Sequence, residues 1–353
     1  MKVKFFHENG KAQKIKKKLI LALESLLKSG KYTNGHFVKK FENKFQRFVE
    51  TKYCAAVNSG TSALHLSLIA LGIKEGDEVI VPSITFVASA AAITYIGAKP
   101  IFVDVNDNDW LINTKKIEKV ITKKTKAIMP VHLHGLMCDM KEINIIAKKF
   151  KIKIIEDASQ AHGSEYYNSK PGFYSDVATF SFYPTKNLGS LGEGGAILTN
   201  NLNIYKKVVS LRAWAVNKKN FFDIGYNYRM PEIIAASLEK KIKYLKSDIK
   251  KRIQISNFYK KNLTINTFAK FSKYKKHSYH IFALRLKNRD RFINELKNFN
   301  IETAIHYSYC LPKLKIFFKY KKNNNFFKIS SRISKELLSL PIYPELKKKN
   351  KNI

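Results

Sequence analysis

From Tyr53 to Glu156 the chain repeats one unit, a short apolar run followed by a stretch with helical periodicity. The runs are Tyr53–Val57, Glu78–Val81, Lys99–Val103, Ala127–Val131 and Lys153–Glu156. The last four are β-branched and apolar on both faces, as strands buried within a parallel sheet must be. Between them, Phe86–Ile96 and Met140–Lys149 read as helices, long enough to carry the chain back for the next parallel strand. The alternation predicts an α/β large domain, with a mixed, mostly parallel sheet and helices on both faces. Two helices precede it, Ile15–Ser29, stopped by Gly30, and Phe37–Glu50. After Pro231 the pattern changes. Glu232–Tyr259 reads as one long helix with its lysines and arginines exposed. The strand-like His280–Leu286 and the helix Arg289–Phe299 then suffice for a small α+β domain. The expected division is 1–235 and 236–353.

The 353 residues carry 65 Lys and Arg against 27 Asp and Glu, a net charge of +38. Arginines such as Arg47, Arg212 and Arg332 are sparse, and lysine is scattered along the chain, as at Lys16–Lys18, Lys123–Lys124, Lys275–Lys276 and Lys347–Lys349. Readers of nucleic acid concentrate arginine on one face. The surplus is instead read as the compositional bias of an AT-rich coding sequence, and no nucleic-acid partner is expected. A basic surface still steers anionic small molecules inward. Cys54, Cys138 and Cys310 lie far apart, which argues against a disulfide framework and structural zinc; no metal is expected. The N-terminus lacks a signal-peptide apolar region, and the longest weakly polar stretch, Ile84–Ala98, is too short to span a bilayer. A cytoplasmic protein without a membrane partner is the expectation.

Chemistry concentrates in a few segments. Asn58-Ser59-Gly60-Thr61-Ser62 joins a strand to a helix, where glycine permits close approach and free amides favour an anion. The plain alternative is an ordinary helix cap. In Ile155-Glu156-Asp157-Ala158-Ser159-Gln160-Ala161-His162 an apolar strand runs into two carboxylates, at the strand end where α/β folds hold ligands. One carboxylate could instead cap a helix and the other sit in a solvated turn. Lys186 follows aromatic residues, Pro184 and Thr185, and precedes a glycine run. A lysine in a partly apolar pocket has a lowered pKa and can form a Schiff base with a carbonyl.

Together the blocks SGTSAL, GDEVIVPSITFVAS, GAKPIFVDV, KTKAIMPVHLHG, EDASQAHG, SFYPTKNLGSLGEGGAILTN, GYNYRM and SLPIYPEL resemble, in order, those of the DegT/DnrJ-type sugar-nucleotide aminotransferases. The resemblance runs from about Gly30 to about Leu346. It implies the aspartate aminotransferase fold (fold type I of the pyridoxal phosphate, PLP, transferases) with PLP as cofactor. By that resemblance Lys186 links to PLP and moves protons, while Asp157 pairs with the pyridine nitrogen and keeps it protonated. Gln160 approaches the ring's O3′ side and Phe86 stacks on the ring. Gly60, Thr61, Ser62 and Ser181 belong to the phosphate cradle. Asn227 reaches the cofactor phosphate of the neighbouring subunit, which implies a homodimer with shared active sites. Arg229 is a candidate for an anionic substrate group, though a structural ion pair would also account for it. His306 and Tyr307 are candidates for the sugar-nucleotide pocket, against the alternative of plain packing.

A lysine at 186, where a dehydrating branch of the family has histidine, implies transamination. Glutamate would be the amino donor and a nucleotide-linked keto-6-deoxyhexose the acceptor. The Tyr228-Arg229 wording favours the 4-keto over the 3-keto sugar. The main rival is a non-catalytic family member that senses or binds a partner. Two departures stand out. Ala213-Trp214-Ala215-Val216 replaces a His-Gly pair usual after Leu211-Arg212, and the chain stops soon after SLPIYPEL. The second departure leads to an expectation of a small domain lacking the family's last helix, with reduced stability.

Overall fold

The computed structural model describes residues 2–6, 9–217, 220–221, 223–264, 267–320 and 324–346. The tail after Leu346, including Lys347–Lys349, lies outside the described residues, so the expected loss of a last helix is not addressed. Helices α1 (Asn9–Ser29) and α2 (His36–Val49) lead into strand β1 (Tyr53–Val57). Next come α3 (Gly60–Ala70), β2 (Glu78–Pro82), α4 (Val87–Tyr95), β3 (Lys99–Val103), β4 (Thr125–Ile128) and β5 (Lys153–Asp157). The two-residue strand β6 (Glu165–Tyr166) stands outside the main sheet and pairs with Lys275–Lys276. Two more strands, β7 (Val177–Ser181) and β8 (Gly195–Thr199), complete seven in the order β1-β8-β7-β5-β4-β2-β3. β3, β2, β4, β5 and β7 run parallel, and β8 runs antiparallel to both β7 and β1. The sheet is therefore mixed and mostly parallel, as the alternation predicts.

Strand alternation divides the core. Val79, Val81 and Ile155 face a cluster with Leu64, Leu66 and Leu68 of α3, whereas Ile80, Ile128 and Ile154 face Met140, Ile143 and Met137. A third cluster, with Phe41 and Phe45 of α2 against Phe180 and Phe182, closes the β7–β8 side. The first turn of α2 is held from afar. Glu232 accepts hydrogen bonds from the amides of Gly35, Phe37 and Val38, a carboxylate on a helix N-terminus.

The region after Pro231 corrects the expectation of one continuous helix. Glu232–Lys241 and Leu245–Asn262 are separate helices joined by a 3₁₀ turn at Ile242–Tyr244. Its basic residues are not all exposed either. Lys241 is buried and donates to the Gly189 carbonyl at 2.9 Å. Arg252 is buried and donates to the carbonyls of Tyr279, His280 and Ile342. Lys275, one of the lysines scattered along the sequence, is buried between Asp109 and Asp139. Farther on, Phe282–Arg285 pairs antiparallel with Leu337–Leu340, and Arg289–Asn298 is helical. Val3, Ile255, Tyr259, Phe282, Leu338 and Leu340 share a separate apolar cluster there.

Candidate active site

The C-terminal ends of β5 and β7 meet the N-termini of α3 and α4. Ser59 caps α3, its hydroxyl accepting from the Ser62 amide at 3.0 Å. The Ser62 hydroxyl donates to Asn58 Oδ1 at 2.6 Å, so the side chain of Ser62 serves the cap, the plainer of its two readings. Ala63 N–H goes to the Ser59 carbonyl, which leaves the Gly60 and Thr61 amides as first-turn donors for an anion. Ser181 stands directly over this turn. A Cβ on Gly60 would lie 2.6 Å from Ser181 Cβ, so only glycine lets the helix approach the strand so closely.

Asp157 ends β5 and is buried. Its Oδ2 accepts from the Ser89 hydroxyl at 2.7 Å and its Oδ1 from the Ser159 amide at 3.1 Å. The neighbouring Glu156 is neither a helix cap nor a solvated turn residue. It is fully buried, accepting from His132 Nε2 at 2.6 Å and from the Gly172 amide. His132 Nδ1 accepts from the Cys138 amide, so the ring hydrogen sits on Nε2. His162, which sequence grouped with Asp157 and Gln160, is buried in the apolar cluster beside the Phe45, Phe180 and Phe182 rings.

Lys186 lies on a tight loop. Its amide donates to the Tyr183 carbonyl at 2.8 Å, and a Cβ on Gly189 would fall 2.0 Å from the Pro184 carbonyl oxygen. Burial lowers the Lys186 pKa to about 8, while the negative charges of Asp157 and Glu193 pull it back up. Among the described residues its Nζ makes no hydrogen bond or ion pair.

Gln160 is oriented from both ends. Its Oε1 accepts from the His134 amide at 2.6 Å, and its Nε2 donates to the Tyr307 hydroxyl at 2.9 Å. The Tyr307 ring lies 5.9 Å from that of Phe86, which is half exposed at the start of α4. His306 is tied through Nδ1 to Ser339, and burial lowers its pKa to about 3. Beyond the α3 cap, Asn58 Nδ2 donates to the Asn227 carbonyl, and Arg229 Nη2 donates to Asn227 Oδ1 at 3.1 Å. The Arg229 Nε is buried with no partner among the described residues. The unusual Ala213–Val216 segment packs here too, Ala213 bridging to Asn227.

Lys186, Asp157, Gln160, Phe86 and Tyr307 thus lie together as linked neighbours, Gly60 and Ser181 meet at the start of α3, and Asn227 and Arg229 lie beyond the α3 cap. Sequence reading missed Thr85, Ser89 and His134, which touch this group from behind. Thr85 and Ser89 were legible as a hydroxyl pair at i, i+4 across the start of a helix.

An anion cradle at a helix N-terminus, a carboxylate at a strand end and a lysine whose pKa burial lowers suit a PLP transferase of the aspartate aminotransferase type. The chain matches the DegT/DnrJ/EryC1/StrS aminotransferase family over residues 13–353 and belongs to it. It is 42% identical over 333 residues to the dTDP-3-amino-3,6-dideoxy-alpha-D-galactopyranose transaminase of Aneurinibacillus thermoaerophilus, covering 93% of this chain and 91% of that one. The crystal structure of DesV from S. venezuelae superposes with a TM-score of 0.96 at 31% identity, over 99% of this chain and 95% of that chain. Spr1654 of Streptococcus pneumoniae, in its PMP form, gives 0.90 at 25% identity over 100% of this chain and 95% of that chain. The fold and the aminotransferase class expected from the sequence both hold. Among the described residues no helix is long and apolar enough to cross a membrane.

Proposed function

We propose that this enzyme transfers an amino group from glutamate to a nucleotide-linked keto-6-deoxyhexose, using PLP held by the residues just described. The residues fit the group: free first-turn amides and Ser181 suit a phosphate, a buried carboxylate suits a protonated ring nitrogen, and the half-exposed Phe86 ring suits a stacked heterocycle. PLP, when bound, supplies the aldehyde for amine exchange and a ring that withdraws electrons from the donor's α-carbon.

The chain's own groups do the rest. Lys186, neutral in a sizeable fraction near pH 8, is the nucleophile and carries the proton on its Nζ. Asp157 holds the ring nitrogen. Gln160 faces the ring hydroxyl, its amide orientation set by the His134 N–H. Gly60, Thr61, Ser62 and Ser181 form the phosphate end, where Ser62 acts by keeping the cap intact. The partner subunit's Asn227 completes that end, which makes the enzyme a homodimer with shared sites. Arg229, with its unpartnered Nε, and His306 and Tyr307 face the substrate. Residues 1–235 and 236–353 form the large and small domains, the second carrying most of the apolar cluster around Tyr259 and Leu338, which Val3 also joins.

The carrying observation is the half-buried Lys186 on its tight loop, with Asp157 near enough to act on its charge. Purified protein with PLP should show a visible band that bleaches on adding glutamate and is missing from Lys186→Ala. A folded protein without the band would overturn the reading in favour of a binding role. For the acceptor, Tyr228-Arg229 favours the 4-ketone, but the name of the Aneurinibacillus relative favours the 3-ketone. That match spans nearly the whole chain, and we take the 3-keto sugar as the lead. Mass spectrometry and NMR of the amine formed from dTDP-linked 3-keto and 4-keto-6-deoxyhexoses distinguish the two.

A further inference from the structure

Behind Asp157 lies a directed chain of hydroxyls. Ser89 Oγ is 2.7 Å from Asp157 Oδ2, and a carboxylate only accepts, so the single Ser89 hydrogen points at Asp157. Ser89 Oγ is also 3.0 Å from Thr85 Oγ1, and with its hydrogen already used it accepts from Thr85. Thr85, Ser89 and Asp157 are respectively 1%, 0% and 5% exposed, so water does not substitute for any member. A hydroxyl-to-carboxylate bond of this length, out of water, is among the stronger hydrogen bonds a protein makes.

The placement matters as much as the strength. Thr85 directly precedes Phe86 and Ser89 lies in the first turn of α4, so one segment presents both the exposed ring and the relay. The other Asp157 oxygen is held by the Ser159 amide, on the chain leaving β5. Asp157 is thereby gripped from two elements, its rotation blocked.

We infer that Ser89, supported by Thr85, is a positioning residue that fixes the Asp157 carboxylate towards the cofactor's ring nitrogen and ties its orientation to that of Phe86. The inference rests on the reading that Asp157 faces that nitrogen. Losing the Ser89 hydroxyl would free the carboxylate to turn and leave Thr85 without its acceptor.

The test is PLP affinity, measured by titrating apoprotein and following fluorescence quenching, for Ser89→Ala, Thr85→Val, Asp157→Asn and the double variant Ser89→Ala/Asp157→Asn. Melting of each apoprotein is recorded alongside. Ser89→Ala should bind PLP about tenfold more weakly, with Thr85→Val shifted less and in the same direction, and Ser89→Thr should recover most of the loss. In the Asp157→Asn background Ser89→Ala should cost little further, because the charge it orients is gone. If Asp157→Asn leaves affinity unchanged, the reading of Asp157 falls. If Asp157→Asn weakens binding but Ser89→Ala and Thr85→Val do not, or if the Ser89→Ala loss persists undiminished in the Asp157→Asn background, the relay falls.

Discussion

Gly60 and Ser181 touch across the gap between a helix start and a strand end, closely enough that one added carbon on Gly60 would sit 2.6 Å from Ser181 Cβ and 3.2 Å from its Cα. The second distance is to backbone, so the collision cannot be relieved by a rotamer change. Gly60→Ala should therefore push α3 off β7, at a cost of about 1–3 kcal/mol. Urea unfolding of the apoprotein measures that loss. The same displacement opens the phosphate end of the site, so PLP titration should show weaker binding in parallel. An unchanged unfolding midpoint would mean the contact is not as tight as described.

Lys186 offers a sharper readout than activity. With a pKa of about 8 instead of 10.5, its neutral fraction at pH 7.5 is about two hundredfold larger than that of an exposed lysine. Trinitrobenzenesulfonate labelling of apoprotein, read by peptide mass spectrometry, should modify Lys186 with a midpoint near pH 8, while other lysines follow their usual range. Burial is the first cause of the shift, and the Asp157 charge opposes it. Asp157→Asn should accordingly move the midpoint lower still. A midpoint that moves up on that change would contradict the electrostatic picture.

Much of this was legible along the chain because local chemistry and position coincide. The strands at Tyr53–Val57 and Lys99–Val103 are short, apolar and bounded by turns, so their pattern and their structure agree residue for residue. Asp157 and Gln160 stood out because their motif sits at a strand end, where ligands bind, and Lys186 because aromatic residues and Pro184 precede it and glycines follow. The failures share a physical origin, for burial of a charged group depends on partners distant in sequence. Arg252 reads as surface until the Tyr279, His280 and Ile342 carbonyls converge on it. His162 reads as part of the site until Phe45 and Phe180 enclose it. Ser89 reads only as half of a hydroxyl pair with Thr85 at a helix start until the fold brings Asp157 against it, across 68 residues of chain.

Glu42 and Arg212 form a buried pair at 2.6 Å that also fastens β1. Glu42 Oε1 accepts from the Ala56 amide at 2.8 Å, and Arg212 Nη1 donates to the Ala56 carbonyl at 2.7 Å. Glu42→Ala removes a partner from both a buried guanidinium and a backbone amide. The expected loss is about 3–5 kcal/mol, the cost of an uncompensated buried charge. Replacing both members, Glu42→Leu with Arg212→Met, should recover a good part of it. Denaturant midpoints for the two variants and the parent decide; a double variant less stable than Glu42→Ala would show that the pair itself adds net stability.

Buried histidines make the fold sensitive to mild acid. Burial lowers His134 to about 4 and His306 to about 3, and depresses His277 and His280 well below 6.5. Geometry agrees for His277, whose Nδ1 accepts from the Tyr279 amide and so must be unprotonated. Each folded value lies below the unfolded one, so between them the unfolded chain binds more protons. Stability is then complete above about pH 7 and falls as pH drops through 6.5 towards 4. At pH 5 His134 and His306 each cost about 2 kcal/mol, from the 1.4 kcal/mol carried by each pH unit. The urea midpoint should drop steeply between pH 7.5 and 5, and His277→Gln should flatten part of that slope. A midpoint that stays level over the interval would require these rings to be protonated, or exposed, in the folded chain.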